Sequence, residues 1–540
     1  MTTVTISPSN SHPSPFAKRS PEALLPTETL MTDFKDDVAK VNGQHGDSGE
    51  YVTGIKLASV VASVALACFL LLLDTMVVST AIPRITDAFN SLPDVGWYAS
   101  AYLFGSAAPQ PLTGKVYTHF NTKWSFLTFF GIFELGSILC GAAVSSDMLI
   151  IGRAVAGVGA SGIINGAITI ISACAPFEKR PGFYINLPLG AFTAAVILFV
   201  HIPEQTTKLK PFVVFSRLHH YLDLVGFALF APAVLQLLLA LQYGASKYTW
   251  GSSTVIGLFV GSGVTFIAWL VWNRRKGDDA LLPHSMIKQR VVWASGLYQA
   301  ILFSGIYGAT FFLPIYFQAI NNVTAILSGV YLLPTILPQI LVAGVSGVLL
   351  QKIGFVVPLA IIGTVLLALG SGLYSLLQPG SPTGHWIGFQ ILAGVGSGLC
   401  MQLAIMSIQA AISPELLAAG MALVIFAQTL GPALVLVVCN VIFDSSLEAL
   451  LHDKVPHMDP TAVIRAGATG FRAIVDPDDL PNVLDAYADS IDRVFYFVAG
   501  VAATGIFVLW GMGWHDLRVE RKNIVPEDGD IPCEKTRESS

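Results

Sequence analysis

Charge is what this chain is short of. Lys, Arg, Asp and Glu make up only 12% of its 540 residues, against roughly 25% in a soluble domain. So few charges cannot cover a water-facing surface of this size, and lipid is the expected solvent for most of it. The charges that are present sum to −5, which leaves no basic face for nucleic acid. Cysteine is scarce too. Cys68, Cys140, Cys174, Cys400 and Cys439 lie in apolar stretches and Cys533 near the end, a distribution that forms neither a disulfide framework nor a metal site. No cleavable leader is expected, because the first fifty or so residues are polar and rich in Ser, Pro and Asp, and insertion is expected to start at the first full span. Finally, there is no Gly-x-Ser-x-Gly elbow, no His-Glu-x-x-His and no nucleotide fingerprint. Enzyme chemistry, ATP drive and a bound cofactor or metal are not expected.

What the chain has instead is apolar length. After a tail at 1–54 with five prolines, expected to be disordered and cytoplasmic, apolar segments run at about 57–82, 97–113, 125–144, 149–174, 183–202, 224–243, 253–273, 292–320, 325–350, 356–378, 386–411, 415–442 and 492–514. Most reach the ~20 residues needed to cross a bilayer as a helix. Barrel strands would be about half as long and alternate in polarity. The reading is an all-α integral membrane protein with about 13 transmembrane helices.

Basic residues orient the spans. Lys56, Lys115 and Lys123, Lys179–Arg180, Lys208, Lys210 and Arg217, Arg274 to Lys276 with Lys288 and Arg290, Lys352, and Arg518, Arg521 and Lys522 mark cytoplasmic loops under the positive-inside rule. The stretch at about 443–490, where acidic residues outnumber basic ones, reads as an external loop. Asn322-Val323-Thr324 is a glycosylation sequon on that same side. One contradiction is local. Lys179–Arg180 and the Lys208 group both look cytoplasmic, yet only the 183–202 segment lies between them. A single span cannot begin and end on one side. That segment is a re-entrant or surface helix, or a neighbouring span is missing, or one cluster lies outside.

Ionisable groups inside spans are functional candidates by default. Asp74, deep in the first segment, can take and release a proton, the alternative being a helix end near the far interface. Glu134, mid-way along the third, either faces the interior or pairs with a cation; a structural hydrogen bond is the alternative. Arg153 opens the fourth segment and is the expected partner, since a guanidinium beside a carboxylate couples its protonation to helix movement. Gly152, Gly157 and Gly159, and again Gly394, Gly396 and Gly398, are expected to let helices pack closely. Neither run is a phosphate loop. The amides Gln110, Gln318, Gln390, Gln402, Gln409 and Gln428, with Tyr102, Tyr316 and Phe317, suggest a polar central cavity for a small organic substrate. Helix-to-helix hydrogen bonding is an equal reading for any one of them.

Ala81-Ile82-Pro83, Trp97-Tyr98-x-x-x-Tyr102-Leu103, Phe133-Glu134-Leu135-Gly136-Ser137 and Gly152-Arg153 with its glycine run resemble the major facilitator superfamily, in the same order. Phe183-Tyr184-Ile185-Asn186-Leu187-Pro188, Leu313-Pro314-Ile315-Tyr316-Phe317-Gln318 and Trp386-Ile387-Gly388-Phe389-Gln390 resemble, more narrowly, the fungal fourteen-span drug/proton antiporters that export toxins, drugs or secondary metabolites. The resemblance covers about 55–515. It implies the major facilitator fold: an N-terminal bundle (55–202), linker helices and cytoplasmic loops (203–291), a C-terminal bundle (292–514) and a cytoplasmic tail (515–540). Substrate would bind between the bundles, near the midplane, and the halves would rock around it. Proton-driven export by a monomer in the plasma membrane, or a vacuolar or vesicular one, is the implied activity. Uptake of a siderophore or nutrient by the same fold is one alternative, a transport-inactive remnant or sensor another. The sequence departs from the family twice. In the loop after Gly114, Thr118 and His119 replace the usual acidic and first basic residues. Lys179-Arg180-Pro181-Gly182 runs straight into Phe183, where the family has a fifth span. The family comparison therefore finds the same gap as charge parity, and loss of about thirty residues is expected.

Overall fold

The computed structural model describes residues 95–174, 222–246 and 248–514, together with Val64, Ala67, Leu70, Leu71 and Asp74 of the first apolar segment. Both tails, the 183–202 segment and the break at 182–183 lie outside the described residues. Everything below concerns the body that begins at Tyr51.

Every long apolar run among the described residues becomes helix, and these residues contain no β-strand. In the first half these helices are α1 (Val95–Ala107), α2 (Gln110–His119), α3 (Thr122–Gly141) and α4 (Ser146–Cys174). The expected 97–113 span is thus two helices broken before Pro109, because proline removes a backbone donor and crowds the preceding turn. Lys115, expected in a loop, is on α2 and only 4% exposed. Val64, Ala67 and Leu71 bury one face of the first segment against α2, α3 and α4.

Two linker helices follow, α5 (Leu224–Ser246) and α6 (Ser253–Lys276), then the short α7 (His284–Ile287). Ser252 caps α6 through the Val255 N–H, and its last turn carries Arg274, Arg275 and Lys276, the sign that suits a helix C-terminus. Asp223, at a left-handed φ of 45°, binds this corner together. It accepts from the Gly226 N–H, the Trp272 indole at 2.9 Å and the Leu281 N–H at 2.7 Å.

The second half has six membrane-length columns: α8 (Arg290–Ala319); α9 and α10 (Ala325–Val330, Leu333–Ile353); α11 (Val356–Leu373); α12 and α13 (Thr383–Cys400, Leu403–Ala411); α14 (Pro414–Lys454); and α16 (Leu480–Met512), with α15 (Pro460–Gly470) between the last two. Ten helices among the described residues are long and apolar enough to cross a bilayer. Lipid is the solvent their outer faces fit. On α6, Ile256, Val260, Val264, Ile267 and Val271 form a stripe at helical spacing, each 47–62% exposed, where a water-soluble helix carries polar groups.

The stretch expected as an external loop at about 443–490 is mostly helical. α14 has 41 residues, roughly 60 Å at 1.5 Å each, about twice a ~30 Å hydrocarbon core. Its far end, α15 and the start of α16 form a packed cap. Lys454 bridges Asp489 at 2.7 Å, and Phe471 stacks on Tyr487 at 4.7 Å. Arg472 donates to the Ala319 and Ile320 carbonyls, at 2.8 and 3.2 Å, closing the end of α8. Acidic side chains hid this helix from hydropathy because they mark water, not loop.

Candidate transport site

The glycine runs set the spacing on which the site depends. On α4, a Cβ at Gly152 or Gly159 would strike Cys140 or Phe133 of α3, and one at Gly157 would strike the Tyr102 carbonyl of α1. On α12, Gly394 and Gly398 press on Thr335 and Gln339 of α10, and Gly396 on Leu367 of α11. Each Gly-rich helix is wedged between two neighbours, and the same device occurs in both halves.

That closeness brings the N-terminal ionisable groups together. Arg153, 2% exposed, forms an ion pair with Asp74. Its Nε donates to the Tyr98 carbonyl at 3.0 Å, and the guanidinium lies 4.4 Å over the Tyr102 ring. Tyr98 is in turn hydrogen-bonded to Ser146 at 3.0 Å. Arg153 was expected to pair with Glu134, and here the expectation is corrected. Its partner is Asp74, because Arg153 faces α1 and the first segment rather than α3. Glu134, half-buried on α3, has no ion pair among the described residues but feels the charge of Asp74.

The amides divide into two groups. Gln402 sits at the break between α12 and α13, where the Met401 carbonyl accepts from Gln299 of α8 at 3.3 Å. The same Gln299 amide donates to Gln428 of α14 at 3.3 Å, and Gln339 of α10 reaches the Met401 sulfur at 3.6 Å. Four columns of the C-terminal bundle thus meet at a neutral polar cluster. Within it the Gln299 and Gln402 side-chain oxygens and the Ser295 hydroxyl are buried without a hydrogen-bond partner. In the N-terminal half Gln110, 1% exposed, likewise leaves its amide nitrogen unpaired, near the Asn165–Thr113 hydrogen bond. Buried amides with open valences are what a ligand or ordered water completes.

Tyr316 and Gln318 belong elsewhere. They lie 17 and 19 positions beyond Gln299 on α8, roughly 25–28 Å along its axis. There Tyr316 donates to the Gln378 carbonyl at 3.1 Å and Gln318 to Ser328 at 3.0 Å. Both tie the C-terminal end of α8 to its neighbours, and neither reaches the central cluster. Gln390 is bonded by Thr335 at 2.9 Å between α12 and α10. Asn322 is exposed in the turn after α8 at a φ of 52°. Gln299 and Ser295 went unnoticed in the sequence. Their four-residue spacing in an apolar run, which places both on one helix face, was the signal available. No group of three or more His, Cys, Asp or Glu among the described residues could hold a metal.

The Major Facilitator Superfamily model matches residues 64–200. The MFS-type transporter pigP of Monascus ruber is 48% identical over 504 residues, 87% of this chain and 88% of that protein. The MFS-type transporter calB of Penicillium decumbens is 44% identical over 511 residues, 88% and 91%. The efflux pump mlcE of Penicillium citrinum is 43% identical over 519 residues, 88% and 94%. Identity this high, sustained over most of both chains, extends across both bundles and the linker between them. The chain is a multi-pass membrane transporter and belongs to the major facilitator superfamily.

Proposed function

We propose that this transporter exports a small organic compound in exchange for protons, as a monomer in the plasma membrane. The buried Arg153–Asp74 pair carries the reading. With Asp74 ionised, the pair ties the first helix to α4. A proton on the Asp74 carboxylate cancels an attraction of about 4 kcal/mol at 4 Å and an effective dielectric of 20. Arg153 then keeps the Tyr98 carbonyl and the Tyr102 ring but its charge is left unpaired, and that cost drives the rearrangement that releases the first helix. Glu134 supplies a second acceptor beside the pair. The Gln299, Gln402 and Gln428 cluster takes the substrate, with Gln110 as the unpaired buried amide of the other half. The efflux-pump name of mlcE supports the outward direction. Rhodamine 6G accumulation in everted vesicles from a pump-deficient yeast tests this. Accumulation that collapses with a protonophore and is lost in Asp74→Asn fits the proposal. Accumulation indifferent to the protonophore defeats the coupling, and dye uptake by right-side-out vesicles defeats the direction. Asn322 is the proposed glycan acceptor, and a mobility shift on deglycosylation, absent in Asn322→Gln, checks it.

A second reading rests on a separate observation. An alignment of 504 positions that takes in 87% of 540 residues, about 470, leaves about 34 positions of the relative without a counterpart here. The 511-position alignment leaves about 36. These lengths support loss of one span, which the break at Gly182-Phe183 suggests, and a transport-inactive product. Transcript sequencing across codons 175–190 decides. An in-frame insert of about thirty apolar codons restores fourteen spans, whereas an uninterrupted message favours the inactive form.

A further inference from the structure

We propose that Asp492 is a second proton-binding site, at the outer end of the C-terminal bundle and loaded from outside the membrane. Asp492 opens the membrane part of α16. It stands about 18 positions before Trp510, roughly 27 Å along the helix, close to one hydrocarbon thickness. Trp510 and Trp514 are 60% and 54% exposed, and the Trp510 carbonyl accepts from Arg290 at 2.8 Å, as befits the opposite interface. Asp492 therefore lies at the outer boundary, under the cap built from α14, α15 and α16.

The side chain is 8% exposed, and its one hydrogen bond comes from a neutral donor, the Gln378 amide at 2.9 Å. No cation answers it among the described residues. Lys454 of α14 is engaged by Asp489, and Arg493 is turned to the Ser446 hydroxyl at 3.3 Å. The other titratable groups nearby are Tyr316 of α8, Tyr374 after α11, Asp444 of α14, and Tyr487 and Asp489 of α16 itself. None can supply positive charge, and Asp489 adds negative charge. A carboxylate buried without a cation is the costly form of the group, and a proton relieves it. The route for that proton is short, because Gln378 is exposed on the turn that ends at Ser381. Water reaches the amide from outside, and the amide reaches Asp492. Protonation also changes what holds this corner. Gln378 links the turn after α11 to α16 through its amide and to α8 through its carbonyl, which accepts from Tyr316.

A role for this proton in driving transport rests on the proposed function, but its binding does not. The test is therefore free of substrate: pH-difference infrared spectroscopy of the purified full chain in nanodiscs, between about pH 6 and about pH 9, around the range in which a buried carboxyl exchanges its proton. A carboxylic C=O band lost at the higher pH should be present in wild type and in Asp74→Asn, and absent in Asp492→Asn. A band that survives in Asp492→Asn overturns the proposal, as does its absence from wild type. If Asp492→Asn is not monodisperse, Gln378→Leu replaces it. Removing the amide donor should shift that band, and an unshifted band overturns the assignment. If the band is Asp492 while vesicle transport ignores the proton gradient, the coupling in the proposed function falls and this site stands.

Discussion

The two halves share a skeleton and differ in what it encloses. In each, a Gly-rich helix is wedged between two neighbours at backbone distance. The N-terminal half places charge in the space so defined: Arg153 on Asp74, with Tyr98 and Tyr102 completing its shell. The C-terminal half places amides there and keeps a buried carboxylate, Asp492, at its capped end, where its hydrogen bond among the described residues comes from Gln378. The difference shows what each chemistry demands. A buried guanidinium needs every contact at once, because any unpaired charge in low dielectric is expensive. Amides can satisfy one another in pairs and leave valences over, so they can wait for a ligand.

The contrast breaks most readily at Arg153. Arg153→Met should leave Asp74 buried without a cation and lower stability by about 3–5 kcal/mol, with vesicle transport abolished. Arg153→Lys keeps the charge but loses the planar fork and the stacking on Tyr102. It should recover most of the melting temperature and little of the transport. If Arg153→Met instead melts like wild type, the pair is not what holds the first helix to α4.

The shared skeleton predicts the next effect. Gly157→Val on α4 and Gly396→Val on α12 should each cost about 1–3 kcal/mol through overpacking, read as lowered melting temperature and poorer yield. Gly131→Ala and Gly388→Ala, where nothing lies within 4 Å of the added carbon, should lose nothing. Unequal losses at Gly157 and Gly396 would mean that the two halves do not use the device alike.

Much of this was legible in the sequence. Apolar length marked the spans, and the glycine runs marked the close-packed helices. What escaped were pairings and ends. Arg153 could be placed on α4 from its motif, but which carboxylate it meets depends on the rotation of three helices, and Asp74 takes the place expected for Glu134. Tyr316 and Gln318 share an apolar run with Gln299, and only position along α8 separates the outer joint from the central cluster. Asp492 passed unremarked as the first position of the expected 492–514 span, because hydropathy averages over a window and the helical cap before it is water-facing.

The central amides should matter less than the charges. Gln299→Leu removes the open side-chain oxygen that a ligand would complete, and one hydrogen bond worth about 1–1.5 kcal/mol is roughly tenfold in dye affinity. The dependence on the proton gradient should be unchanged, since no charge is touched. A variant in which the gradient dependence also moves would place coupling in both halves and erase the contrast.

The smallest effect is expected from a more exposed ion pair. Lys454–Asp489 resembles Arg153–Asp74 in chemistry, but its side chains are 28% and 39% exposed against 2% and 14%. Water already solvates both groups, so Lys454→Ala should cost about 0.2–1 kcal/mol, and added salt should narrow the gap from wild type. Thermal unfolding of Lys454→Ala and Arg153→Met at low and high salt makes the comparison. A Lys454→Ala loss as large as that of Arg153→Met would mean that the cap over α14 and α16 is held by charge. Its Phe471–Tyr487 stack and the Arg472 closure of α8 would then count for less than their burial implies.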